Sequence, residues 1–172
     1  FGHPLAKQYR LKKGYTDASQ LLGFSKTHQA MVALNKMVVD ALIQRNIPAV
    51  GLQPSSCVVT KSGRIHLMED KPLKRLLKSG FVPVLYGDTV LDLDFGFSVL
   101  SGDQLVAYLA GLLNASRIIM GIDEDGLFSG DPKVDPSARL ISHVTLQELR
   151  SMQKGLERAK TPDVTGGMLG KI

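Results

Sequence analysis

A single cysteine, no tryptophan and an aromatic content of only 6% are what this sequence most lacks. One cysteine forms no internal disulfide, so nothing argues for an oxidising compartment. No apolar run approaches the roughly 18 residues of a membrane span. Phe1-Gly2-His3-Pro4 has neither the basic flank nor the apolar stretch of a secretory signal. Internal repeats and low-complexity segments are absent too. These absences predict a soluble, cytoplasmic protein with no membrane partner. Hydrophobic residues at 44% and charged ones at 22% make an ordinary globular mixture. At 172 residues the chain suits one compact domain and not two.

The formal net charge of +5 raises the prior for an anionic partner. Nucleic-acid binders gather Lys and Arg into a stripe, often with exposed aromatics between them. Here the basic residues are spread from Lys12 and Lys13 through Lys71, Lys74, Arg75 and Lys78 to Lys154, Arg158 and Lys160. A small phosphorylated ligand suits that spread better than a polynucleotide.

Helical and strand-like pieces alternate along the chain, which predicts an α/β layered domain. Met31, Leu34, Val38, Ala41 and Leu42 recur at spacings of three and four, giving an amphipathic helix over 25–46 closed by Asn46. Residues 47–52 read as a buried strand. Residues 58–60 and 65–68 flank the turn-like Lys61-Ser62-Gly63-Arg64 and predict a hairpin. A short helix over 71–78 turns Leu73, Leu76 and Leu77 inward, and 81–86 is a strand running into Gly87-Asp88. Phe97 to Leu100 leads into Ser101-Gly102-Asp103-Gln104, a capping box opening a helix with Leu105, Val106, Leu109, Leu112 and Leu113 on one face. Residues 117–121 read as a further strand, 123–136 as a loop, and Thr145 with Glu148 as a second capping box. The helix it opens runs to about Gly155, and 156–162 is polar.

Polar residues follow strands at several of these junctions, where open α/β sheets hold ligands. Gly166 and Gly167 expose backbone N–H groups at a helix start, and Lys171 lies one turn on, so the segment suits a phosphate. It is equally readable as a flexible loop with a surface lysine. Ser101-Gly102-Asp103 is another capped helix start; it can hold an anion or simply be a cap. Gly87-Asp88 can cap a turn, or orient catalytic lysines and a metal-bound phosphate. The acidic stretch Asp123-Glu124-Asp125-Gly126 can accept from ribose hydroxyls or form an Asx-rich turn, and it lacks the closing glutamate of a calcium loop. His3, His28, His66 and His143 show no metal-ligand spacing. Cys57 reads as a small apolar strand residue.

Together these segments resemble the amino-acid-kinase superfamily, and within it the isopentenyl phosphate kinases. Phe1-Gly2-His3-Pro4-Leu5-Ala6-Lys7 is similar to the end of their Gly-x-Phe-Gly-His-Pro stretch. Ile47-Pro48-Ala49-Val50, Gln53-Pro54-Ser55-Ser56, Val82-Pro83-Val84-Leu85-Tyr86-Gly87-Asp88, Ser101-Gly102-Asp103, Asp123-Glu124-Asp125-Gly126 and Asp163-Val164-Thr165-Gly166-Gly167-Met168 follow in order. Phe-Gly-His-Pro and Asp-Val-Thr-Gly-Gly-Met are the specific pieces; the others are shared more widely.

The resemblance implies a three-layer αβα sandwich around a mostly parallel open sheet. It implies a single domain over 1–172, with 1–115 mainly the phosphate-acceptor part and 116–172 the start of the nucleotide part. The family's N-terminal Lys-x-Gly-Gly-Ser loop and its C-terminal end are missing, so these residues alone are expected to be inactive. The implied reaction moves the γ-phosphoryl of ATP, with Mg²⁺, to isopentenyl phosphate. His3, Gly2, Gly87, Asp88 and Gly102 would serve the acceptor phosphate. Phe24, Thr27, Met31 and Leu34 lie along one side of the long helix, and Val90 and Val99 flank the Gly87-Asp88 and Ser101-Gly102-Asp103 turns. These six can line and close a pocket for the tail, or be plain core. Asp123, Gly166, Gly167 and Lys171 would serve the nucleotide, His3 and Lys171 being the catalytic pair. A homodimer is compatible with this reading. A related kinase for a phosphonate or carboxylate, or a nucleotide-binding regulatory domain without catalysis, are the competing expectations.

Overall fold

The computed structural model describes residues 1–122, 125–130, 132, 135–145, 147–149 and 151. The chain divides into two units, Phe1–Asn114 and Ala115–Ile172. The first opens with α1 (Gly2–Gln8), passes through a 3₁₀ turn at Leu11–Lys13 and enters the long α2 (Ser19–Ile43). Then come β1 (Ala49–Gly51), a 3₁₀ turn at Pro54–Ser56, β2 (Val58–Lys61), β3 (Arg64–Met68), α3 (Lys71–Lys78), β4 (Val82–Val84), β5 (Asp88–Asp92), β6 (Gly96–Leu100) and α4 (Gly102–Leu112).

Two sheets result. β1 and β4 pair in parallel, Ala49 opposite Val82. The larger sheet has the order β3-β2-β5-β6. Its centre is a parallel pairing of β2 with β5, flanked by antiparallel β2–β3 and β5–β6. The β2–β3 hairpin lies where the turn residues place it: Ser62 and Gly63 both have positive φ, 49° and 76°, the two-residue turn whose twist suits a hairpin.

α1 is not among the elements expected from the sequence, and it contains Pro4. It sits in the first turn, where the missing N–H has no intrahelical acceptor to lose. α2 begins six residues before its expected start and ends at Ile43, three residues short of its expected end, with Asn46 beyond it in the left-handed region at φ 59°. Its buried face differs from the apolar stripe: Gln20, Gly23, Thr27 and Asn35 are the buried positions, while Val38 and Ala41 are exposed. Gln20 and Asn35 hold that face by bonding backbone carbonyls, and Gly23 by its close approach to the Tyr9 side chain. The Asn35 amide donates to the Val84 carbonyl at 3.1 Å. In α3 Leu73 is buried and Leu77 exposed, and in α4 Leu105 is buried and Val106 exposed. Each helix thus buries a narrower stripe than its leucines suggest.

Residues 117–121, expected as a strand, form none: Ile118 and Ile119 are exposed and no ladder partner pairs with them. An apolar run becomes a strand only when a neighbour satisfies its backbone groups. Conversely, Asp88–Asp92 is a strand that its polar ends concealed.

The core has two parts. Val58, Met68, Leu73, Val90, Leu100 and Leu105 join the larger sheet to α3 and α4, while Ala6, Leu11 and Phe97 join α1 to β6. Each fully buried Val, Leu or Phe contributes about 1.5–3 kcal/mol. In the second unit Phe128 and Leu140 form an antiparallel bridge, with Ile141 N–H donating to Leu127 O at 2.7 Å. The Thr145–Glu148 capping box forms in both directions: Thr145 N–H donates to Glu148 at 2.7 Å and Glu148 N–H donates to Thr145 Oγ1 at 3.2 Å.

Candidate active site

Two clusters of the expected site residues form in the first unit. The first lies where α1 crosses α2. A Cβ on Gly2 would stand 2.8 Å from Met31 Sδ and 3.5 Å from Thr27 Cγ2, so glycine is what lets the start of α1 approach α2. Gly2, Thr27 and Met31 are thereby in one place, and His3 is exposed in the first turn of α1. Thr27 Oγ1 is buried without a hydrogen-bond partner. Such an atom costs free energy unless something else satisfies it. The Phe24 ring meets Phe97 at 5.6 Å between centroids and packs on the α1–β6 core. Val90 is wholly buried in the core of the larger sheet, and Val99, like Phe24, packs against the Ala6, Leu11 and Phe97 cluster.

The second cluster lies where β5 begins and β6 ends. Asp88 pairs with Leu100 across that ladder, which brings Gly87 against the start of α4. A Cβ on Gly87 would stand 3.1 Å from both Gly102 N and Leu100 O. Ser101 is the N-cap of α4, its Oγ accepting from Gln104 N–H at 3.1 Å. The reciprocal half of the expected capping box does not form. Instead the Gln104 amide reaches the β2–β3 turn, accepting from Ile65 N–H at 3.0 Å and donating to Gly63 O at 3.1 Å. First-turn N–H groups lack intrahelical acceptors and sit at the positive end of the helix dipole. Gly102 therefore offers an anion a backbone N–H with no side chain in the way.

Asp88 does not face outward from this cluster. It is 1% exposed, with Oδ1 accepting from Thr89 N–H at 2.8 Å and Oδ2 from Ser55 N–H at 3.1 Å. His28 Nδ1 lies 2.9 Å from Oδ1. Thr89 Oγ1 also donates to Phe24 O at 3.2 Å, so β5 is tied to α2 twice. The carboxylate affects its neighbours. Burial, then the charge of Asp88, pushes the Cys57 thiol up. Burial, then Asp88 and Cys57, pushes the Tyr86 phenol to about 12. Cys57 is at the turn before β2 rather than inside a strand, its thiol directed at Gln53 O at 3.5 Å. Neither group is poised as a nucleophile.

Sequence reasoning missed His28, Ser55 and Thr89. His28 and Asp88 are 60 positions apart, and no local pattern signals such a pair. Asp123, Gly166, Gly167 and Lys171 lie outside the described residues. Among the described residues no three His, Cys, Asp or Glu side chains are placed to hold a metal, and no helix is long and apolar enough to cross a membrane.

Known proteins are similar in sequence to this one across the whole chain. The isopentenyl phosphate kinase of Methanothermobacter thermautotrophicus is 41% identical over all of this chain and 66% of its own length. That of Methanocaldococcus jannaschii is 35% identical over all of this chain and 64% of its own. The chain thus spans about two thirds of the length of these curated relatives. A crystal structure of an isopentenyl phosphate kinase superposes with a TM-score of 0.80 at 34% identity, covering 99% of this chain and 77% of that one. The α/β fold is the one those kinases have. The model of the amino acid kinase family matches residues 1–172, and the chain belongs to that family.

Proposed function

We propose that this chain carries the acceptor half of an ATP-dependent kinase that converts isopentenyl phosphate to the diphosphate. The observation that carries the reading is the approach of Gly87 to Gly102, which bares a helix N-terminus. The contact of Gly2 with Thr27 and Met31, beside His3, lies in the same unit. Phosphate at one site and a flexible, partly apolar wall at the other are what a phosphorylated short-chain alcohol requires.

The acceptor oxygen needs no general base, because a phosphate monoester with a second pKa of ~6 is largely ionised at neutral pH. The task is alignment and charge neutralisation. In this reading the Gly102 N–H and the His3 ring hold the acceptor phosphate, and Thr27 and Met31 meet its tail. Asp88 shapes the turn that places Gly87. Asp123, Gly166, Gly167 and Lys171 belong to the nucleotide side, Lys171 neutralising charge on the transferred group. ATP with Mg²⁺ supplies the phosphoryl group and the cation that offsets its charge. Residues 1–115 form the acceptor part and 116–172 begin the nucleotide part. The reading also takes the protein to be cytoplasmic and compatible with a homodimer, with no nucleic-acid partner.

The test uses the full-length protein and a panel of acceptors. Isopentenyl phosphate should be preferred over phosphonates and amino-acid carboxylates. His3→Ala should lower kcat/KM for it by roughly ten- to hundredfold, the effect of one charge-assisted hydrogen bond, with KM for ATP unchanged. Preference for a carboxylate, or nucleotide binding without turnover of any acceptor, would overturn the reading. Met31→Ala should shift preference toward longer tails, by about 1 kcal/mol or less per methylene accommodated.

A further inference from the structure

We propose that His28 is a positioning residue for the acceptor site, holding its two halves in register through Asp88. The inference rests on the function proposed above and concerns a residue to which that function assigns no role. α2 carries Thr27 and Met31, against which the start of α1 packs. The turn before β5 carries Gly87, against which the start of α4 packs. An acceptor held by both His3 and Gly102 needs a fixed distance between these two halves. Misplacement by an ångström is enough to lose rate.

Only two side-chain hydrogen bonds join α2 to β5 among the described residues: His28 Nδ1 with Asp88 Oδ1 at 2.9 Å and Thr89 Oγ1 to Phe24 O at 3.2 Å. They bracket Thr27. Of the two, His28 alone acts on the carboxylate at the Gly87 turn. Asp88 is 1% exposed and its other contacts are the Ser55 and Thr89 N–H groups. A carboxylate only accepts, so Nδ1 carries the hydrogen. Without it, Oδ1 keeps only the Thr89 N–H. A buried carboxylate short of donors relaxes toward water, and Gly87 moves with it. Gly87 has little room: the space a Cβ would fill there is bounded by Gly102 N and Leu100 O. The start of α4 must therefore shift as well.

The geometry distinguishes the two ring nitrogens, and so do amide replacements. The Asn side-chain nitrogen stands near the place of Nδ1, while that of Gln reaches toward the place of Nε2. In the full-length protein, His28→Leu and His28→Gln should lower kcat/KM for isopentenyl phosphate by roughly ten- to hundredfold, the effect of one hydrogen bond to a charged group. KM for ATP should stay at the parent value, and His28→Asn should recover activity to within about threefold. Equal kinetics in His28→Asn and His28→Gln, or an ATP KM that rises as much as the acceptor KM, would overturn the proposal. Should His28→Leu fail to fold, the Asn and Gln pair decides alone. Should the parent not phosphorylate isopentenyl phosphate, the functional reading fails by itself. The positioning role is then read from the ligand-free amide resonances of Gly87 and Gly102. Both should move in His28→Gln and hold in His28→Asn; any other pattern overturns it.

Discussion

Asp88 and Asp92 close the two ends of β5, both buried, at 1% and 4% exposure. They are satisfied in opposite ways. Asp92 takes four backbone N–H groups from two turns: Ser62, Asp94 and Phe95 at Oδ1, and Gly63 at Oδ2 at 2.7 Å. Asp88 takes one N–H from its own neighbour, one from Ser55 and a bond from a side chain on α2. One carboxylate organises hairpin turns; the other joins three separate elements beside a bare helix N-terminus. Burial of a carboxylate does not mark a functional site, therefore. In the proposed function the difference lies in the partners: those of Asp88 come from elements that would have to keep register for a ligand.

The two ends should fail differently. The largest effect is expected at Asp92. Replacing it with Ala orphans four N–H groups and should cost about 3–4 kcal/mol of stability, measured by denaturant unfolding, with activity per folded molecule retained. Burial pushes the Asp92 carboxyl up. The Gly63 and Phe95 N–H groups, the Thr60 hydroxyl and the Asp94 N–H outweigh it, leaving a pKa of about 2 against an ordinary 3.8. A carboxyl lowered by folding stabilises the fold above its unfolded value, and that contribution fades as pH falls from 3.8 toward about 2. Asp92→Asn should flatten acid unfolding across that window. Loss of acceptor turnover in folded Asp92→Ala would break the contrast.

At the other end, Gly87→Ala places a methyl against Gly102 N and Leu100 O, backbone atoms that cannot swing aside. It should lower acceptor kcat/KM by roughly tenfold or more with little change in ATP KM. Parent kinetics would mean that this junction holds no ligand. The smallest effect is expected at Gln104, whose amide ties α4 to the hairpin turn that Asp92 also organises. Gln104→Ala should cost about 1–2 kcal/mol in thermal or denaturant unfolding, with the Ser101 cap intact. A kinetic loss exceeding that stability loss would show the two ends to be coupled through α4.

Much of this was legible locally. Lys61-Ser62-Gly63-Arg64 announced the hairpin as a turn-like segment between two strand-like runs, and the structure gives Ser62 and Gly63 the positive φ such a turn takes. Ser101 announced the start of α4, and Asn46 the left-handed turn that follows α2. Gly2, Gly87 and Gly102 were legible through motif resemblance, and the structure supplies the close approaches at Gly2 and Gly87 that need glycine. The buried face of α2 was not legible. Its apolar residues recur on several sides, and the positions that went inward, Gln20 and Asn35, did so by bonding backbone carbonyls elsewhere in the chain.

Sequence alone thus determined what depends on neighbours within a few positions: turns, caps, the alternation of helices with strands, and the order of the family's motifs. Tertiary structure alone decided which apolar run found a ladder partner, so that 88–92 became a strand and 117–121 did not. It also decided that Gln104 reaches a hairpin instead of completing its cap, and that His28 meets Asp88. The reason is the range of the interactions. Backbone torsions and caps are settled by local sterics and hydrogen bonds, whereas the partner of a buried polar group is whatever the packed chain brings within about 3 Å.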